Sequence, residues 1–548
     1  MRDASKILID TKSTLKKALK KLDETSKKIL ICINKKKKFQ GVITDGDIRR
    51  KIINKLITLN SPIDKIINKK AITINESAKM SDVLSLLSSR VIILPVLNSF
   101  QKVVGYYSLE DLMKNYDKKI SIFGLGYVGL TLALCMSKNG FEINGFDKDK
   151  KLIANLRKGK LHFFENRLDF LLRNEINKIN FSNKIKDCIS DCYIVTVGTP
   201  IKNFKPDLSY LKNSIQKICS ILKQGDLIIL RSTLPIETTD QIIIPLIYKL
   251  KKFKPGIDYF ISFAPERTIE GNAINELENN PQIIGANDLL SYEKTFKIFN
   301  KITKSVVKVE NIKSAEFSKL IDNSYRDHKF SFSNQFIEPC ERLKIDLTSV
   351  IKAVNFGYGR NDIAKPSPGV GGPCLSKDPY ILFESLKVKK KFSLIKKVRE
   401  INEGIPDYIY KKILKLLKKI NLNLSNTNFF FLGMAFKGAP ETSDLRDSTS
   451  LKIIKKFSNN QNIFCYDPVV QRSEIKKLGY KYATVVDGFK KANIIVFLNN
   501  HIEFENLDIE TLLNTTKKPC VILDTWNILD AKKIKQIKSV VYSGLGND

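Results

Sequence analysis

Short apolar runs bounded by polar residues or glycine recur along the chain, and they predict buried β-strands. Clear examples lie at residues 29–33, 91–94, 120–123, 429–432 and 494–498. After the run at 120–123, apolar side chains recur with the period of a helix that has a buried face, at Leu130, Leu132, Ala133, Leu134 and Met136. Strands that alternate with such helices predict an α/β chain with doubly wound, largely parallel sheets.

A glycine-rich loop follows the strand predicted at 120–123 and opens the predicted helix. Its context suits a dinucleotide, because a tight turn lets the backbone approach pyrophosphate and helix N–H groups face the anion. The next predicted strand ends at Asp147, whose carboxylate would accept from ribose hydroxyls and repel a 2′-phosphate. NAD is therefore favoured over NADP, although Lys148 weakens this preference, and a structural glycine turn is the alternative. The predicted cofactor residues are Gly124, Gly126, Tyr127, Val128, Gly129 and Asp147.

A thiol lies in the run Pro368-Gly-Val-Gly-Gly-Pro-Cys374-Leu-Ser-Lys-Asp378. Glycines let a backbone approach a ligand closely, and a neighbouring cation makes a thiolate more available. The run is therefore predicted to be a nucleophile loop. A lone cysteine is more often a small buried hydrophobe, but the dinucleotide loop upstream favours chemistry here.

Six sequence blocks downstream of the glycine-rich loop occur in the order of one enzyme family. They lie at residues 195–200, 231–235, 264–271, 315–323, 368–378 and, as a pair, 436–437 with 443–448. The chain from about residue 118 to its C-terminus resembles the UDP-glucose/GDP-mannose dehydrogenase family. This resemblance implies oxidation of the C6 alcohol of a sugar nucleotide to a carboxylate with two NAD, as a step towards surface polysaccharides.

The chemistry that the resemblance implies removes four electrons, so the aldehyde must be held between two hydride transfers. A thiolate can hold it as a thiohemiacetal, whose oxidation gives a thioester that water cleaves. The resemblance assigns this role to Cys374 and makes Lys319 and Asn323 oxyanion stabilisers. The i, i+4 spacing of Lys319 and Asn323 on a predicted helix lets both face one reacting centre.

The remaining catalytic and binding assignments also follow from the resemblance. Asp378 and Thr233 are placed around the water, and Glu266 and Glu270 near the sugar, with Glu270 as the proton handler. The further cofactor contacts are Thr199, Pro200, Thr233, Lys377 and Arg446. The substrate contacts are Glu266, Arg267, Lys319, Asn323, Arg360, Gly371 and Lys437. Family members often supply the arginine at position 360 across a subunit boundary, and a solvated lysine is the alternative for Lys437.

Three positions depart from common family patterns, and they leave the sugar open. Pro373 replaces a histidine or tyrosine, Ser376 a proline, and Gln335 a glutamate. The forms Pro-Glu-Arg-Thr-x-Glu-Gly and Gly-Gly-Pro-Cys are closer to the bacterial branch that acts on UDP-N-acetylhexosamines. That substrate class is favoured, with UDP-glucose next.

The first 117 residues lie outside this resemblance and contain a repeat. Residues 41–48 and 105–112 share the form G-x-x-[ST]-x-x-D-[IL] at an offset of 64 residues. The two units resemble a tandem pair of CBS domains, which often bind adenine nucleotides. This implies a nucleotide held by Thr44, Asp47, Ser108 and Asp111. A purely structural or dimerising pair is the alternative.

Composition narrows the remaining classes. The net charge is +36 over 548 residues, but lysine is spread along the chain and arginine is scarce, which is typical of a biased base composition rather than nucleic-acid binding. Nine cysteines without C-x-x-C and only three histidines predict a reducing cytoplasm and no metal site. No signal peptide is recognised, and no apolar run approaches the roughly 18 residues of a membrane span.

The predicted architecture is a CBS pair at 1–117, an NAD-binding doubly wound domain at 118–311, a helical central and dimerisation domain at 312–423, and a UDP-sugar-binding Rossmann-like domain at 424–548. The predicted assembly is a homodimer or higher homo-oligomer. Two alternative functions remain open: a two-electron dehydrogenase of the 6-phosphogluconate or hydroxyacid type, and a nucleotide-sensing scaffold with an inactive dehydrogenase part.

Overall fold

The computed structural model describes residues 1–547 except 26, 54–56, 79–81, 84–85, 88–90, 110–118, 203–204 and 387–392. Two compact units divide the chain. One contains residues 1–117 with the segments 253–260 and 288–294, and the other contains the rest of the chain.

Two three-stranded sheets of the same design build the N-terminal region. The first has β1 (Leu8–Asp10), β2 (Ile29–Ile33) and β3 (Phe39–Thr44), and the second has β4 (Ile74–Asn75), β5 (Ile93–Leu97) and β6 (Val103–Ser108). In each sheet the first strand runs parallel to the second, and the second runs antiparallel to the third. Within the part of this region that the structure describes, α1 (Leu15–Thr25) and α2 (Asp45–Ile53) accompany the sheets.

The hairpins of the two sheets repeat in register. Ile29 pairs with Thr44 and Ile93 with Ser108, and the same irregularity follows Cys32 in one hairpin and Val96 in the other. The structural offset is therefore the 64 residues found in the sequence repeat. Strand β5 begins two residues later than the apolar run had predicted. Asp111 lies outside the described residues.

The glycine of each repeat is explained by a crossing segment of backbone. A Cβ on Gly41 would lie 2.5 Å from the carbonyl oxygen of Asn68, and one on Gly105 would lie 2.7 Å from that of Arg2. Asn68 forms an antiparallel bridge to Val42, and Arg2 forms one to Tyr106. Each repeat thus lays its leading segment against the hairpin of the other, where no side chain fits.

An eight-stranded sheet forms the next domain. Its strands are β7 (Lys119–Phe123), β8 (Glu142–Phe146), β9 (Ile179–Ser182), β10 (Cys192–Val195), β13 (Leu227–Leu230), β14 (Phe260–Phe263), β15 (Gln282–Ala286) and β16 (Val306–Val309). A separate antiparallel pair comprises β11 (Ile201–Lys202) and β12 (Lys205–Pro206). The sheet order is β16-β15-β14-β13-β10-β7-β8-β9. It places a crossover switch point between β7 and β10, where dinucleotides bind.

Helices cover the buried strands of this sheet. They are α3 (Tyr127–Lys138), α4 (Lys150–Arg157), α5 (Leu168–Glu175), α6 (Ser209–Ile221), α7 (Ile244–Lys251), α8 (Ala273–Asn279) and α9 (Leu289–Phe299). Every residue of β10 and β13 is buried, as expected where helices pack on both faces of a parallel sheet. Asp149 caps α4 by accepting from the N–H groups of Lys151 and Leu152.

The central region is helical. It contains α10 (Ile312–Asn334), α11 (Ile337–Leu343), α12 (Leu347–Asn355), α13 (Asp378–Leu386) and α14 (Leu394–Lys419). Helices α10 and α14 pack through a buried polar group in which Arg399 pairs with Asp327 at 2.8 Å and Asn402 donates to the same carboxylate. None of the described helices is both long and apolar enough to cross a membrane.

The C-terminal region repeats the doubly wound plan. Its strands are β17 (Phe429–Leu432), β18 (Ile463–Tyr466), β19 (Lys481–Tyr482), β20 (Ile494–Phe497), β21 (Cys520–Asp524) and β22 (Val540–Gly544). Its helices are α15 (Thr449–Lys455), α16 (Arg472–Lys477), α17 (Val485–Lys491), α18 (Ile502–Glu505), α19 (Ile509–Asn514) and α20 (Ala531–Ile534). The order β19-β18-β17-β20-β21-β22 is all parallel. Buried residues of α14 share one core with β17 and β20.

Candidate active site

The cysteine run forms a loop that ends in a helix. The carbonyl of Cys374 accepts from the N–H groups of Lys377 at 3.1 Å and Asp378 at 2.9 Å, where α13 begins. Asp378 is fully buried. One carboxylate oxygen accepts from Lys377 Nζ at 2.6 Å, and the other accepts from Asn323 Nδ2 at 2.6 Å. The loop and α10 are therefore joined next to the thiol.

Helix α10 carries two more of the predicted catalytic groups on one face. Lys319 and Asn323 are both buried. The positive charges of Lys319 and Lys377 act on the Cys374 thiol. The structure therefore brings Cys374, Lys319, Asn323 and Asp378 together, as the sequence interpretation required.

The surroundings of Cys374 raise the pKa of its thiol, whereas the sequence alone indicated a lowered one. Cys374 has solvent-accessible surface, but burial by the surrounding walls, followed by the charge of Asp378, raises the pKa of its thiol, and Lys319 and Lys377 oppose this only in part. The expectation that a nearby cation makes the thiolate available is outweighed here by desolvation.

The glycines of the cysteine loop make room for protein backbone and a ring. A Cβ on Gly371 would lie 2.5 Å from the carbonyl oxygen of Asp447, and one on Gly369 would lie 2.7 Å from that of Asn402. Gly372 has φ +87°, and its Cβ would lie 2.7 Å from the ring of Phe436. The sequence interpretation gave this space to a ligand, whereas the structure fills it with α14 and the loop after β17.

Glu270 belongs to an acidic and basic cluster beside the thiol. Arg446 Nη2 donates to its carboxylate at 3.3 Å and to Asp444 at 2.5 Å. Burial and the neighbouring Asp444 raise the pKa of Glu270 to about 7, against the pull of Arg446 and Lys437. A carboxyl with this pKa can exchange protons near neutral pH.

Lys437 and Glu266 are occupied by other protein groups. Lys437 Nζ donates to the carbonyls of Glu270 and Pro440, each at 2.5 Å, and burial lowers the pKa of Lys437 to about 8. Glu266 accepts from buried Arg231 at 2.5 Å and from the N–H of Arg267 at 2.8 Å. Both predicted substrate residues thus also hold the walls of the site.

Each glycine of the glycine-rich loop is required for a different structural reason. Gly124 has φ +98°, and a Cβ on Gly129 would lie 1.8 Å from the Gly124 carbonyl oxygen. A Cβ on Gly126 would meet no atom within 4 Å, so this side faces open space. A cavity of about 700 Å³ opens there, lined among others by Gly126, Asp147 and Tyr210. The loop therefore fits a pyrophosphate at the N-terminus of α3.

Asp147 lies on the wall of this cavity. Its carboxylate accepts from the N–H groups of Leu125 at 2.9 Å and Asp149 at 3.0 Å. Lys148 lies over the ring of Tyr210, 4.3 Å from Nζ to the centroid, which directs its charge to an aromatic face on the cavity wall.

Other predicted residues lie in loops with fewer contacts. Thr199 is buried, and its hydroxyl has no partner among the described residues. Thr233 and Pro200 are half-buried in loops after β13 and β10. Arg360 is exposed in the turn after α12, where its guanidinium stacks on Tyr358 at 5.0 Å. No contact of Arg360 within the described chain joins it to Cys374.

Two buried glutamates received no role in the sequence interpretation, although Glu316 lies within the block at 315–323. Glu316 on α10 accepts from the N–H of Glu237 at 2.6 Å and the hydroxyl of Thr239 at 2.6 Å, and burial raises its pKa to about 7. Glu165 accepts from Tyr127 and from two N–H groups near Glu270.

Three models of one family match the chain in order. They describe the NAD binding domain of the UDP-glucose/GDP-mannose dehydrogenase family at residues 118–303, its central domain at 313–404 and its UDP binding domain at 430–531. A UDP-N-acetyl-D-mannosamine dehydrogenase from Pyrococcus horikoshii is 30% identical over 78% of this chain and 99% of its own length. The chain belongs to the UDP-glucose/GDP-mannose dehydrogenase family. It is an NAD-dependent oxidoreductase of the UDP-sugar dehydrogenase type, and the hydroxyacid alternative is set aside.

Solved structures agree with this membership. The structure of the Pyrococcus horikoshii enzyme has a TM-score of 0.72 at 29% identity and covers 78% of this chain and 99% of its own. A UDP-N-acetyl-mannosamine dehydrogenase from Staphylococcus aureus has a TM-score of 0.68 at 28% identity and covers 78% of this chain and 98% of its own. The predicted fold of two doubly wound domains joined by a helical one is confirmed.

The N-terminal region carries one match of its own. A CBS domain model matches residues 63–118, which include the second repeat. The first repeat has the same strand order and hairpin register. The predicted CBS character is confirmed by the family model for one unit.

Proposed function

We propose that this enzyme oxidises the C6 alcohol of UDP-N-acetylmannosamine, or of a related UDP-N-acetylhexosamine, to the uronic acid with two NAD. Relatives at 30% identity from Pyrococcus horikoshii and Campylobacter jejuni carry the name UDP-N-acetyl-D-mannosamine dehydrogenase. The observation that carries the reaction is the cluster of Cys374 with Lys319, Asn323 and Asp378. The product is a precursor for surface polysaccharide.

The first oxidation needs a base for the alcohol. Glu270 takes the hydroxyl proton, and its pKa of about 7 allows this at neutral pH. NAD bound in the cavity would supply the hydride acceptor for C6. The glycine-rich loop and Asp147 would hold its pyrophosphate and ribose, and Thr199, Pro200, Thr233, Lys377 and Arg446 would complete the cofactor contacts.

The second oxidation needs the thiol. The sulfur of Cys374 adds to the aldehyde carbon and the thiol proton ends on the aldehyde oxygen, so a neutral thiohemiacetal forms. The ammonium of Lys319 with an N–H of Asn323 stabilises that oxygen while negative charge develops on it. Asn323 already donates to Asp378 at 2.6 Å, which fixes its amide and directs it. Loss of a second hydride gives a thioester. Asp378 and Thr233 then orient the water that cleaves it, so one alcohol, two NAD⁺ and one water give a carboxylate, two NADH and three protons.

A panel of UDP-sugars tests this proposal. We expect UDP-N-acetylmannosamine to give two NADH per sugar and the highest kcat/KM, with UDP-glucose a poorer substrate. One NADH per sugar would contradict the four-electron reaction, and a preference for UDP-glucose would contradict the substrate class.

Arg360 is proposed to reach the substrate of a neighbouring subunit, because its turn is exposed.

A second function is proposed for the N-terminal pair, namely binding of an adenine nucleotide. A cavity of about 390 Å³ there is lined by Thr44, Lys28, Arg49 and Lys70 together with apolar residues 91–93, a combination that suits a phosphate and a base. The Thr44 hydroxyl donates to the Asp47 carboxylate at 2.6 Å. Because this carboxylate holds Thr44, Lys28 and Lys70 bind the nucleotide in place of Asp47. Ser108 is the matching hydroxyl of the second repeat.

Calorimetry with AMP, ADP and ATP on the full chain, beside Thr44→Ala, tests this second function. Regulation would require different affinity for two states of the enzyme, and such couplings are about 1 to 3 kcal/mol. We expect heat from at least one nucleotide and weaker binding by the variant. Absence of heat with all three nucleotides would leave the pair a structural module.

A further inference from the structure

Glu165 is a buried carboxylate in the segment between α4 and α5, and only 4% of it is exposed. Its Oε2 accepts from the hydroxyl of Tyr127 and from the N–H of Gly271 at 2.6 Å. Its Oε1 accepts from the N–H of Ala273 at 2.8 Å. Three donors therefore converge on one carboxylate, and together they join the glycine-rich loop to the segment that follows Glu270.

The peptide of Gly271 is held on both sides by this region. Asn166 Nδ2 donates to the Gly271 carbonyl at 2.8 Å, and the Gly271 N–H also lies 3.1 Å from the Tyr127 hydroxyl oxygen. Burial, and then the hydrogen bond to Glu165, raises the pKa of Tyr127 far above its ordinary value. The hydroxyl therefore remains a donor to Glu165 throughout the working pH range.

The loop after β17 contacts residues 270–271 from the other side. Gly271 has φ +88°, and its Cβ would lie 2.3 Å from the carbonyl oxygen of Glu441. Lys437 Nζ donates to the Glu270 carbonyl at 2.5 Å. The Glu270 carbonyl and the Gly271 N–H belong to one peptide, which is therefore held from both sides and fixes the backbone directly after the Glu270 side chain.

We propose that Glu165 is a positioning residue, which ties Tyr127 of the glycine-rich loop to the N–H groups of Gly271 and Ala273 and so aims Glu270 at the alcohol. The proposal rests on the function given above, in which Glu270 takes the hydroxyl proton. It also links the two binding sites, because the loop that faces pyrophosphate holds one end of the tie.

The groups around Glu270 determine how a displaced Glu270 side chain would change the pH dependence of activity. Asp444 raises its pKa and Arg446 and Lys437 lower it, while burial makes the largest contribution. If the segment loosens, water reaches Glu270 and its pKa falls towards the ordinary carboxyl value. Activity that depends on the deprotonated form would then begin to rise at lower pH.

Glu165→Gln is the direct test, because glutamine has the same shape but turns an NH₂ group towards one of the donors. We expect kcat to fall by about 10- to 100-fold, the range for a misplaced catalytic group, with the KM for the UDP-sugar within about twofold. The acid limb of the kcat profile should move to lower pH. Glu175→Gln is the matched control, because Glu175 is equally buried but accepts from Ser137 at 2.6 Å, and we expect its profile to match wild type.

The outcomes separate this proposal from the proposed function. A wild-type enzyme that yields one NADH per sugar would overturn the four-electron function, while the effect of Glu165→Gln on the first hydride transfer could still be scored. An unchanged pH profile in Glu165→Gln would overturn the positioning role even if kcat fell. If that variant does not fold, Tyr127→Phe keeps both N–H bonds to Glu165, and we expect the same pH shift at smaller size. No shift in Tyr127→Phe would then overturn the proposal.

Discussion

At the scale of single residues, the surroundings decide the chemical state of Cys374. Desolvation, and then the charge of Asp378, raise the pKa of its thiol, and Lys319 and Lys377 lower it. The pKa of the nucleophile is therefore determined by groups on α10 and on its own loop.

The first prediction concerns this thiol. Cys374→Ala should not pass the aldehyde stage, and Cys374→Ser should nearly abolish acid formation, because the second oxidation needs a covalent adduct. Cys340→Ser, at a partly exposed thiol, is the control and should behave as wild type. NADH yield per sugar and NAD affinity are the measurements. Two NADH per sugar at the wild-type rate from the alanine variant would refute the mechanism.

The second prediction concerns the titration of the Cys374 thiol. Alkylation of Cys374 by iodoacetamide should increase with pH through a midpoint above that of an ordinary cysteine. Asp378→Asn removes the negative charge that raises the pKa, so its midpoint should move to lower pH. Mass spectrometry of the alkylated peptide gives the rate at each pH. A midpoint in Asp378→Asn that equals or exceeds that of wild type would contradict this electrostatic account.

The third prediction concerns Asp147. Its replacement by alanine should weaken NAD binding by about 1.5 to 3 kcal/mol, the cost of losing hydrogen bonds to a charged group, and should reduce the preference for NAD over NADP. Asp169→Ala, on the exposed face of α5, is the control. Kinetics with both cofactors is the measurement, and equal KM values in Asp147→Ala and wild type would argue against this ribose contact.

At the scale of elements, one buried arginine holds two helices and the cysteine loop in place. Arg399 of α14 is 1% exposed; it pairs with Asp327 of α10 at 2.8 Å and donates to the carbonyl of Leu375 at 3.2 Å. Helix α10 carries Lys319 and Asn323, and Leu375 follows Cys374. The geometry of the catalytic cluster therefore depends on a buried residue that is not itself a member of the cluster.

The fourth prediction tests this link. Arg399→Met leaves Asp327 buried without its partner, which typically costs about 3 to 5 kcal/mol, whereas Arg173→Met breaks an exposed pair on α5 worth about 1 kcal/mol or less. Hydrogen exchange should show faster opening of α10 in the first variant. Equal protection of α10 in Arg399→Met and Arg173→Met would exclude the role.

The repeat motif in the N-terminal pair also acts at this scale. The N–H of Asp47 donates to the Thr44 hydroxyl at 3.1 Å, and the N–H of Thr44 donates to the Asp47 carboxylate at 3.3 Å. This reciprocal pattern is a capping box at the start of α2. The spacing of the hydroxyl and the acid in the motif is thus explained by helix capping as well as by a ligand.

At the scale of the whole molecule, the helical region presents apolar side chains to solvent. Those at least 39% exposed on and beside α10 to α12 are Ile321, Tyr325, Phe332, Phe336, Leu343, Ile345, Val350, Val354 and Phe356. Apolar surface gathered on one region is typical of an interface. It supports the predicted homodimer.

The fifth prediction follows from this surface. The full chain should be a homodimer by light scattering, and Tyr325→Glu should favour the monomer, because the buried charge would need a partner. Tyr248→Glu replaces another exposed tyrosine, on α7, and should leave the mass unchanged. A wild-type monomer at micromolar concentration would contradict this assembly.

The sequence by itself determined the classes of element and the chemistry of the motifs. Strands such as β2 and β17 coincide with their apolar runs, and the loop at Gly124 was placed between strand and helix, because hydrophobic period and glycine spacing are local properties. The 64-residue repeat likewise reappeared as matching hairpins. These features need no knowledge of distant contacts.

The tertiary structure alone decided what surrounds each motif. The glycines of the cysteine loop face backbone and the ring of Phe436, Lys437 holds the Glu270 carbonyl, and Glu165 gathers three donors from two separate loops. Each contact joins residues tens to hundreds of positions apart, and desolvation depends on all atoms nearby. The local sequence pattern does not predict which distant residues become neighbours. The pKa shifts and the positioning residues could therefore be identified only from the folded chain.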